Sequence, residues 1–404
     1  MDHSTQVGII QKLLEFNEQR TTDMAGQESE YFNPVTVYTD PERLSAELKQ
    51  IWYRRPLSVG HVAEFPKAGD FKTVQVGKVP ILVVRGKDDR IRAFVNVCRH
   101  RGTVLEERET GHANTFACPY HAWTYGADGA LRHVPDDFGF PEVASDKGRF
   151  GLRELWSQVH AGFVYVQADG NAPERELVDW LDEVGKDLQD LGLAEYVALE
   201  PSTVRHPVNW KLPFDIFLEN YHTKFTHRTT IYPVFLSNVG KFDSFGSHIR
   251  CVLPRREITE LRHIDEAKWD LVEQSTLLYV VWPNTMIAVL PEHAAVWHVY
   301  PDGVDHSTMN FYALLARRLY EAEAEAEKWQ KSLKVIQKVK REDAARFLSI
   351  QQGMNSGGNS ALTFGRYEKA IAWFHQSIEE ALADSEGDTP QEVPADAPTG
   401  TVAR

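Results

Sequence analysis

Two short arms constrain this chain more than anything else in it. Cys98-x-His100 is followed, after a gap of seventeen residues, by Cys118-x-x-His121. Each arm offers one thiolate and one imidazole. A [2Fe–2S] cluster with Cys on one iron and His on the other needs that donor set, because neutral imidazole in place of thiolate removes negative charge and makes the cluster easier to reduce. Zinc is the competing occupant. Cys₂His₂ zinc sites usually pair both Cys in one arm and both His in the other, whereas here each arm carries one of each. The surroundings agree with a cluster. Val95-Asn96-Val97 runs from an apolar strand into Cys98, and Gly102 turns the chain after His100. Pro119 fixes the second loop, Tyr120 and Trp123 shield it, and Gly126, Asp128 and Gly129 signal a hairpin turn. The pattern predicts one-electron chemistry.

At 404 residues the chain can bury one large core or two ordinary ones. A hydrophobic fraction of 42% is that of a folded soluble protein. No apolar run is long enough for a membrane span, and Met1-Asp2-His3-Ser4 lacks the basic start of a signal peptide. With Cys251 the only other cysteine, a reducing cytoplasm without disulfides is expected. The net charge of -14 disfavours nucleic acid and anionic membranes as partners. Part of it sits in the tail after Ala383, which has five acids and one Arg.

The texture of the chain changes three times. Helical spacing runs from Ser4 to Arg20, and a second helix starts at Pro41 with Asp40 as its N-cap and runs to about Trp52. From Arg55 to about Asp169 short β runs dominate, among them Ile81–Val84, Arg92–Val95 and Gly162–Val166. Thereafter strands and helices mix. Helices are expected over Glu174–Leu191, Pro213–Tyr221, Leu319 to about Gln352 and Tyr367–Leu382, and alternating antiparallel strands over Ser275–Val281, Thr285–Leu290 and Ala295–Tyr300. The expected organisation is a helical part (1–54), a β domain around the cluster motif (55–169), a catalytic domain (170–383) and a disordered tail (384–404).

A second metal site is suggested by the stretch from Asn209 to His227. On a helix Asp215, Glu219 and His222 fall at i, i+4 and i+7 on one face. His227 stands five residues beyond His222, which overshoots a turn by about 140°. Both imidazoles can meet one metal only if the helix ends, bulges or kinks between them. The bland alternative is two ordinary histidines. A two-His, one-carboxylate triad for non-haem Fe(II) leaves positions open for oxygen. The long C-terminal helix offers the carboxylate. Trp329, Leu333, Ile336, Lys340, Asp343, Phe347 and Ile350 form a stripe that Asp343 interrupts. A buried carboxylate needs a partner, and iron is a strong one. The alternative is a surface Asp343 paired with Lys340 or Arg346. Phe214, Phe217, Phe225, Val234 and Phe235 are candidates for an apolar pocket or for plain core.

From Tyr38-Thr39-Asp40-Pro41 to the helix ending near Leu382, the chain resembles the α subunit of a Rieske non-haem iron ring-hydroxylating oxygenase. The specific parts are Cys98-Arg99-His100, Cys118-Pro119-Tyr120-His121, Asn209-Trp210-Lys211, Glu219-Asn220-Tyr221-His222 with His227, and Glu342-Asp343 followed by Gln351. The resemblance implies an α+β fold, in which a Rieske β domain is inserted in a helix-grip catalytic domain with an antiparallel sheet flanked by helices. It implies a [2Fe–2S] cluster on Cys98, His100, Cys118 and His121, and a mononuclear Fe(II) on His222, His227 and Asp343. It also implies a trimer, with or without a small β subunit. In the family an Asp three residues before the first His bridges the cluster of one subunit to the iron of its neighbour. Here that position is Glu219, as in members acting on quaternary ammonium compounds, although their local motif differs from Asn220-Tyr221-His222-Thr223.

The implied activity is that of a terminal oxygenase. Electrons from NAD(P)H arrive through a reductase, directly or by way of a ferredoxin, and O₂ serves to hydroxylate or dihydroxylate an aromatic substrate. The alternative within the family is an N- or O-demethylating monooxygenase, quaternary ammonium substrates included. The alternative outside it is a Rieske electron carrier or zinc-binding module without mononuclear iron; Rieske ferredoxins are far shorter and lack the His222/His227 pair.

Overall fold

The computed structural model describes residues 1–173 and 176–384. The expected disordered tail lies outside the described residues except for Asp384, as does Glu174, where a helix was expected to begin.

Seven strands form the largest sheet: β1 (Tyr196–His206), β2 (Lys241–Phe245), β3 (His248–Pro254), β4 (Ser275–Val281), β5 (Thr285–Val289), β6 (Ala294–Pro301) and β7 (Ser307–Ala316). They are antiparallel in the order β1-β7-β6-β5-β4-β3-β2. The sequence suggests an alternation of buried and wet faces, but β4 and β5 are buried at every residue. The reason is that both faces are covered. Leu278, Val280, Met286, Ala288 and Phe311 pack into one core with the long helix Ala326–Asn355 and the helix Lys369–Ala383. Tyr279, Val281, Ile287, Val289 and Tyr312 pack on the other side with Ile9, Ile10 and Leu13 of the first helix, His3–Gln19, and Leu181, Val184 and Leu188 of Leu177–Asp190.

The smaller β domain precedes this sheet in the chain. Its five-stranded sheet runs in the order Glu154–Leu155, Ile91–Val95, Val79–Arg85, Asp70–Val76, Thr110–His112. Its outer end is a three-stranded sheet, Thr115–Ala117, Thr124–Gly126 and Leu131–His133. Phe71, Leu82, Phe94, Phe116, Trp123 and Tyr125 give it a core of its own.

Two expected helices are shorter than their patterns. The long helix begins at Ala326, because Arg317–Glu321 is a separate turn that ends at Ala322 in extended conformation. The helix expected over Pro213–Tyr221 stops at Phe217.

Four buried histidines make this fold sensitive to acid. His298 is enclosed, with Nδ1 on Thr285 Oγ1 and Nε2 on Tyr312 Oη, both at 3.0 Å. Burial holds it well below its ordinary pKa, and burial takes His61, His248 and His293 to about 4. These rings are neutral when folded, yet titrate near 6.5 in the unfolded chain. Below that pH the unfolded state binds more protons, so stability falls as pH falls. The contribution of these four rings should therefore weaken between pH 6.5 and 4, by on the order of 1–2 kcal/mol per histidine at pH 5 in denaturant unfolding. An unchanged midpoint at pH 5 would show that these rings are not held neutral.

Candidate active site and metal centres

The two arms of the Cys/His motif fold alike. Cys98 N donates to Thr103 O and Gly102 N donates back to Cys98 O; Cys118 N donates to Trp123 O and Ala122 N donates back to Cys118 O. The fourth residue after each Cys lies in the left-handed region, Gly102 at φ +77 and Ala122 at φ +55. For an alanine that conformation costs roughly 1–2 kcal/mol, and such strain collects at functional loops. The result places two buried thiols opposite two imidazoles, with the His100 and His121 rings 4.7 Å apart and His121 exposed. Burial first, then the charges of His121 and Arg101, lower the His100 pKa and favour the neutral ring a metal requires. Trp123 stacks on His100 at 4.9 Å, and Phe140 meets both rings edge-on.

Tyr125 is a contributor that the motif did not reveal. It is fully buried, its hydroxyl lies 3.4 Å from Cys98 Sγ, and it accepts from Arg99 N at 3.0 Å. Hydrogen bonds to cluster sulfurs tune reduction potential. Its signal was the alternation of the hairpin strand Thr124–Gly126, which turns Tyr125 inward.

The second centre forms where helix Leu212–Phe217 ends. Leu218 to Tyr221 make an irregular turn, and a short helix, Thr223–Thr226, separates His222 from His227. This break resolves the overshoot in spacing. His222 Nε2 and His227 Nε2 come within 3.1 Å of each other. Asp343 Oδ1, from the long helix, stands 2.9 Å from His227 Nε2 and 3.8 Å from His222 Nε2. At metal–nitrogen bonds of about 2.1 Å, adjacent ligands lie about 3 Å apart, so three such atoms fit one ion. The Asp343 oxygen supports the fit independently: it is buried and no hydrogen bond is aligned on it. The alternative pairing with Lys340 or Arg346 does not occur among the described residues.

Each imidazole is held from behind by a carboxylate. Glu219 Oε1 meets His222 Nδ1 across the turn, while Oε2 accepts from the backbone of Tyr221 and, at 3.0 Å, of His222. Glu219 was expected one helical turn before His222; it arrives instead by capping a non-helical turn. It makes no ion pair with Lys224 or Arg228 among the described residues. His227 Nδ1 lies 2.7 Å from Glu342 Oε2, which also accepts from Thr230 Oγ1 at 2.7 Å. Glu342 was legible only as a neighbour of Asp343, since nothing in its spacing points to a histidine 115 residues away. Burial acts against a charged ring at His222 and His227, but the nearby carboxylates outweigh it and raise both pKa values. Asp215, expected on the face of His222, points into the core, where it bonds to Tyr38 and His375 at 2.7 and 2.9 Å.

Beside these residues lies an apolar cavity of about 180 Å³ between the long helix and the sheet. Phe217 and Phe235 line it, whereas Phe214 packs against Trp210 and Phe374, and Phe225 and Val234 are exposed. Ile350 of the expected stripe is also exposed; Gln351 and Met354 continue the buried face.

Glu342→Gln should weaken metal binding at His222, His227 and Asp343 by about ten- to a hundredfold, because it removes the anion that orients His227. Metal titration of the variant checks this, with cluster absorbance as the internal control. Unchanged affinity would reduce Glu342 to a neighbour.

Comparison with known proteins agrees with both halves. Residues 55–143 match the Rieske [2Fe-2S] domain, and residues 193–384 match the ring hydroxylating alpha subunit (catalytic domain). The chain is 31% identical over 215 residues to the glycine betaine monooxygenase oxygenase subunit of Pseudomonas aeruginosa, covering 53% of this chain and 49% of that one. It is 36% identical over 202 residues to the large oxygenase component of the naphthalene 1,2-dioxygenase system of Pseudomonas aeruginosa, covering 48% and 44%. These matches span about half the length of those relatives. The carnitine monooxygenase oxygenase subunit of Escherichia coli is matched over 94% of its length and 87% of this chain, at 29% identity. In fold, a solved quaternary ammonium Rieske monooxygenase superposes with a TM-score of 0.75 at 24% identity, covering 89% of this chain and 97% of that one. With a Rieske domain, a catalytic domain of matching fold and a convergent two-His, one-carboxylate set, the chain belongs to the α subunits of the Rieske non-haem iron oxygenases.

Proposed function

We propose that this chain is the terminal oxygenase component of a multicomponent system that couples substrate oxidation to O₂ reduction. The observation that carries the reading is the meeting of His222, His227 and Asp343 at an apolar cavity. Cys98, His100, Cys118 and His121 hold the [2Fe–2S] cluster, and His222, His227 and Asp343 hold the mononuclear iron. When bound, the cluster supplies single electrons and the iron supplies O₂ chemistry. The overall balance for hydroxylation is substrate, O₂, two electrons and two protons giving alcohol and water. A reductase using NAD(P)H, directly or through a ferredoxin, supplies the electrons. Three unpaired cysteines are in keeping with a cytoplasmic setting.

The protein's own groups prepare the site. Glu219 and Glu342 hold the two rings so that Nε2 faces the ion. The apolar walls exclude water. Pro213 opens helix Leu212–Phe217 without the loss of a hydrogen bond, and that helix brings Ile216 and Phe217 to the cavity wall.

For the substrate, N-demethylation or related oxidation of a quaternary ammonium compound is the first reading. Two of the relatives above carry such names, one of them matched along nearly its whole length. The rings of Phe217 and Trp297, whose centroids lie 5.9 Å apart at the cavity wall, suit a methylated cation. An aromatic substrate is the second reading, favoured by the apolar lining and the naphthalene-oxidising relative. Oxygen uptake with a surrogate reductase separates them: trimethylamine or formaldehyde marks the first, ring hydroxylation the second.

Assembly as a trimer, with or without a β subunit, completes the electron path. Exposed apolar residues stand beside both centres: Tyr120 and Phe138 near the cluster, Tyr221 and Phe225 near the second site. Glu219 is the proposed bridge between His222 and His121 of the neighbouring subunit.

Purified protein should contain about three irons per chain, two with labile sulfide. Asp343→Ala should keep the cluster spectrum and lose the third iron and turnover. Zinc in place of iron, with no sulfide, would overturn the reading. Glu219→Gln should retain both centres, while reoxidation of the pre-reduced cluster in a single turnover slows by orders of magnitude. Reoxidation at the original rate removes Glu219 from the path.

A further inference from the structure

The cavity carries a cation that the oxygenase reading does not use. Its acidic lining residues are Glu219 and Asp343, both committed to the metal end. Its one Lys or Arg is Lys340, one helical turn before Asp343 on the same side of the long helix. Lys340 Nζ sits 3.4 Å above the centroid of the Phe311 ring. Among the described residues it has no hydrogen bond and no ion pair. The acid whose charge it feels most, Glu200, accepts instead from Gln337 Nε2 at 3.0 Å. Burial lowers the ammonium to about 8, which leaves it charged at neutral pH.

Neighbouring groups extend the polar end of the cavity. Ser202, Val204 and His206 alternate along β1 and face the same cavity. His206 lies edge-on to Phe347, and burial, then the charge on Lys340, lowers its pKa. A cation against a ring face is held by the ring quadrupole alone, whereas an anion brought to it forms a charge-assisted bond about twice as strong as a neutral hydrogen bond. An unpaired cation in an apolar wall is what an anionic ligand group needs.

We propose that Lys340 is a specificity-determining residue that binds the carboxylate of an acidic substrate, with the oxidised carbon directed to the metal end. The inference rests on the cavity being the substrate site and names the substrate class: an organic carboxylate. Zwitterionic betaines and aromatic acids share that group, so it is common to both substrate readings above.

Calorimetry on the anaerobic holoprotein tests this without turnover. The probes are two matched pairs: γ-butyrobetaine against choline, and 3-phenylpropionate against 3-phenylpropionamide. At least one acid should bind at least tenfold tighter than its partner without a carboxylate, and the pair that discriminates identifies the source. Lys340→Met should weaken that acid by about ten- to a hundredfold and leave the other member of the pair within about twofold. Lys340→Arg should restore most of the loss. A merely structural role, propping Phe311, would weaken both members together. Equal binding of acid and partner, binding of neither acid, or full affinity in Lys340→Met overturns the proposal. Iron content and cluster reoxidation, measured on the same preparations, report on the oxygenase reading separately.

Discussion

A buried ion pair sets the geometry on which both ligand-bearing segments depend. Glu47 is inaccessible to solvent, and its carboxylate accepts from Lys211 Nζ at 2.8 Å, Trp210 Nε1 at 2.9 Å and Arg43 Nε at 3.0 Å. Such a pair adds little net stability over apolar packing, but removal of one partner strands a charge, at a cost of about 3–5 kcal/mol. It therefore fixes register. Asn209, two residues before Lys211, extends the knot to Tyr38 O, Val304 O and Gln351 Oε1. Gln351 lies about two turns beyond Asp343 on the long helix. The same knot thus holds the segment leading to His222 and His227 and the helix that carries Asp343.

The two centres differ in how they face solvent, and the difference follows from their donors. Cysteine side chains are small and apolar, and both pack inside with Trp123, Tyr125 and Phe116, where the Tyr125 hydroxyl beside Cys98 Sγ offsets part of the cost of burying a thiolate. The imidazole side opens outward at His121. At the other centre His227 is buried against the long helix, while His222 keeps partial exposure next to Glu219. The electron path proposed above, from one outward imidazole to another through a carboxylate, uses that arrangement of inside and outside.

Much of this was legible in the sequence, for identifiable reasons. Ligand spacing within a loop is local, so the cluster arms could be read directly; so could Asp40 as an N-cap and the tight strands from Ile81 to Val95. Helical geometry required an interruption between His222 and His227 if both rings were to meet one metal, and the chain has one there. What escaped depends on contacts distant in sequence. Strands β1, β2, β3 and β7 went unread because their partners, rather than their own pattern, decide their burial; β1 is mostly wet while its neighbour β7 is almost wholly buried. Tyr125, Glu342 and Glu47 act through partners 27 to 164 residues away. Asp215 was misplaced because a helix of six residues was taken to run nine.

The electrostatics of the second centre have a single origin. Glu219, Glu342 and Asp343 bring three carboxylates to two imidazoles. Glu368 adds a fourth nearby, and burial, then the charge of Glu219 and Asp215, pushes it up to about 7. The raised pKa values of His222 and His227 express the same excess. Protons relieve it only partly, because a proton on Nε2 of either ring points at the other ring, 3.1 Å away. A divalent cation held by His222 Nε2, His227 Nε2 and Asp343 would bring the same two charges as two such protons without setting two N–H groups against each other, and would leave each Nδ1 proton for Glu219 or Glu342. The carboxylates that orient the two rings would thus also attract a dication, and the close approach of the two Nε2 atoms is what would favour it over a pair of protons.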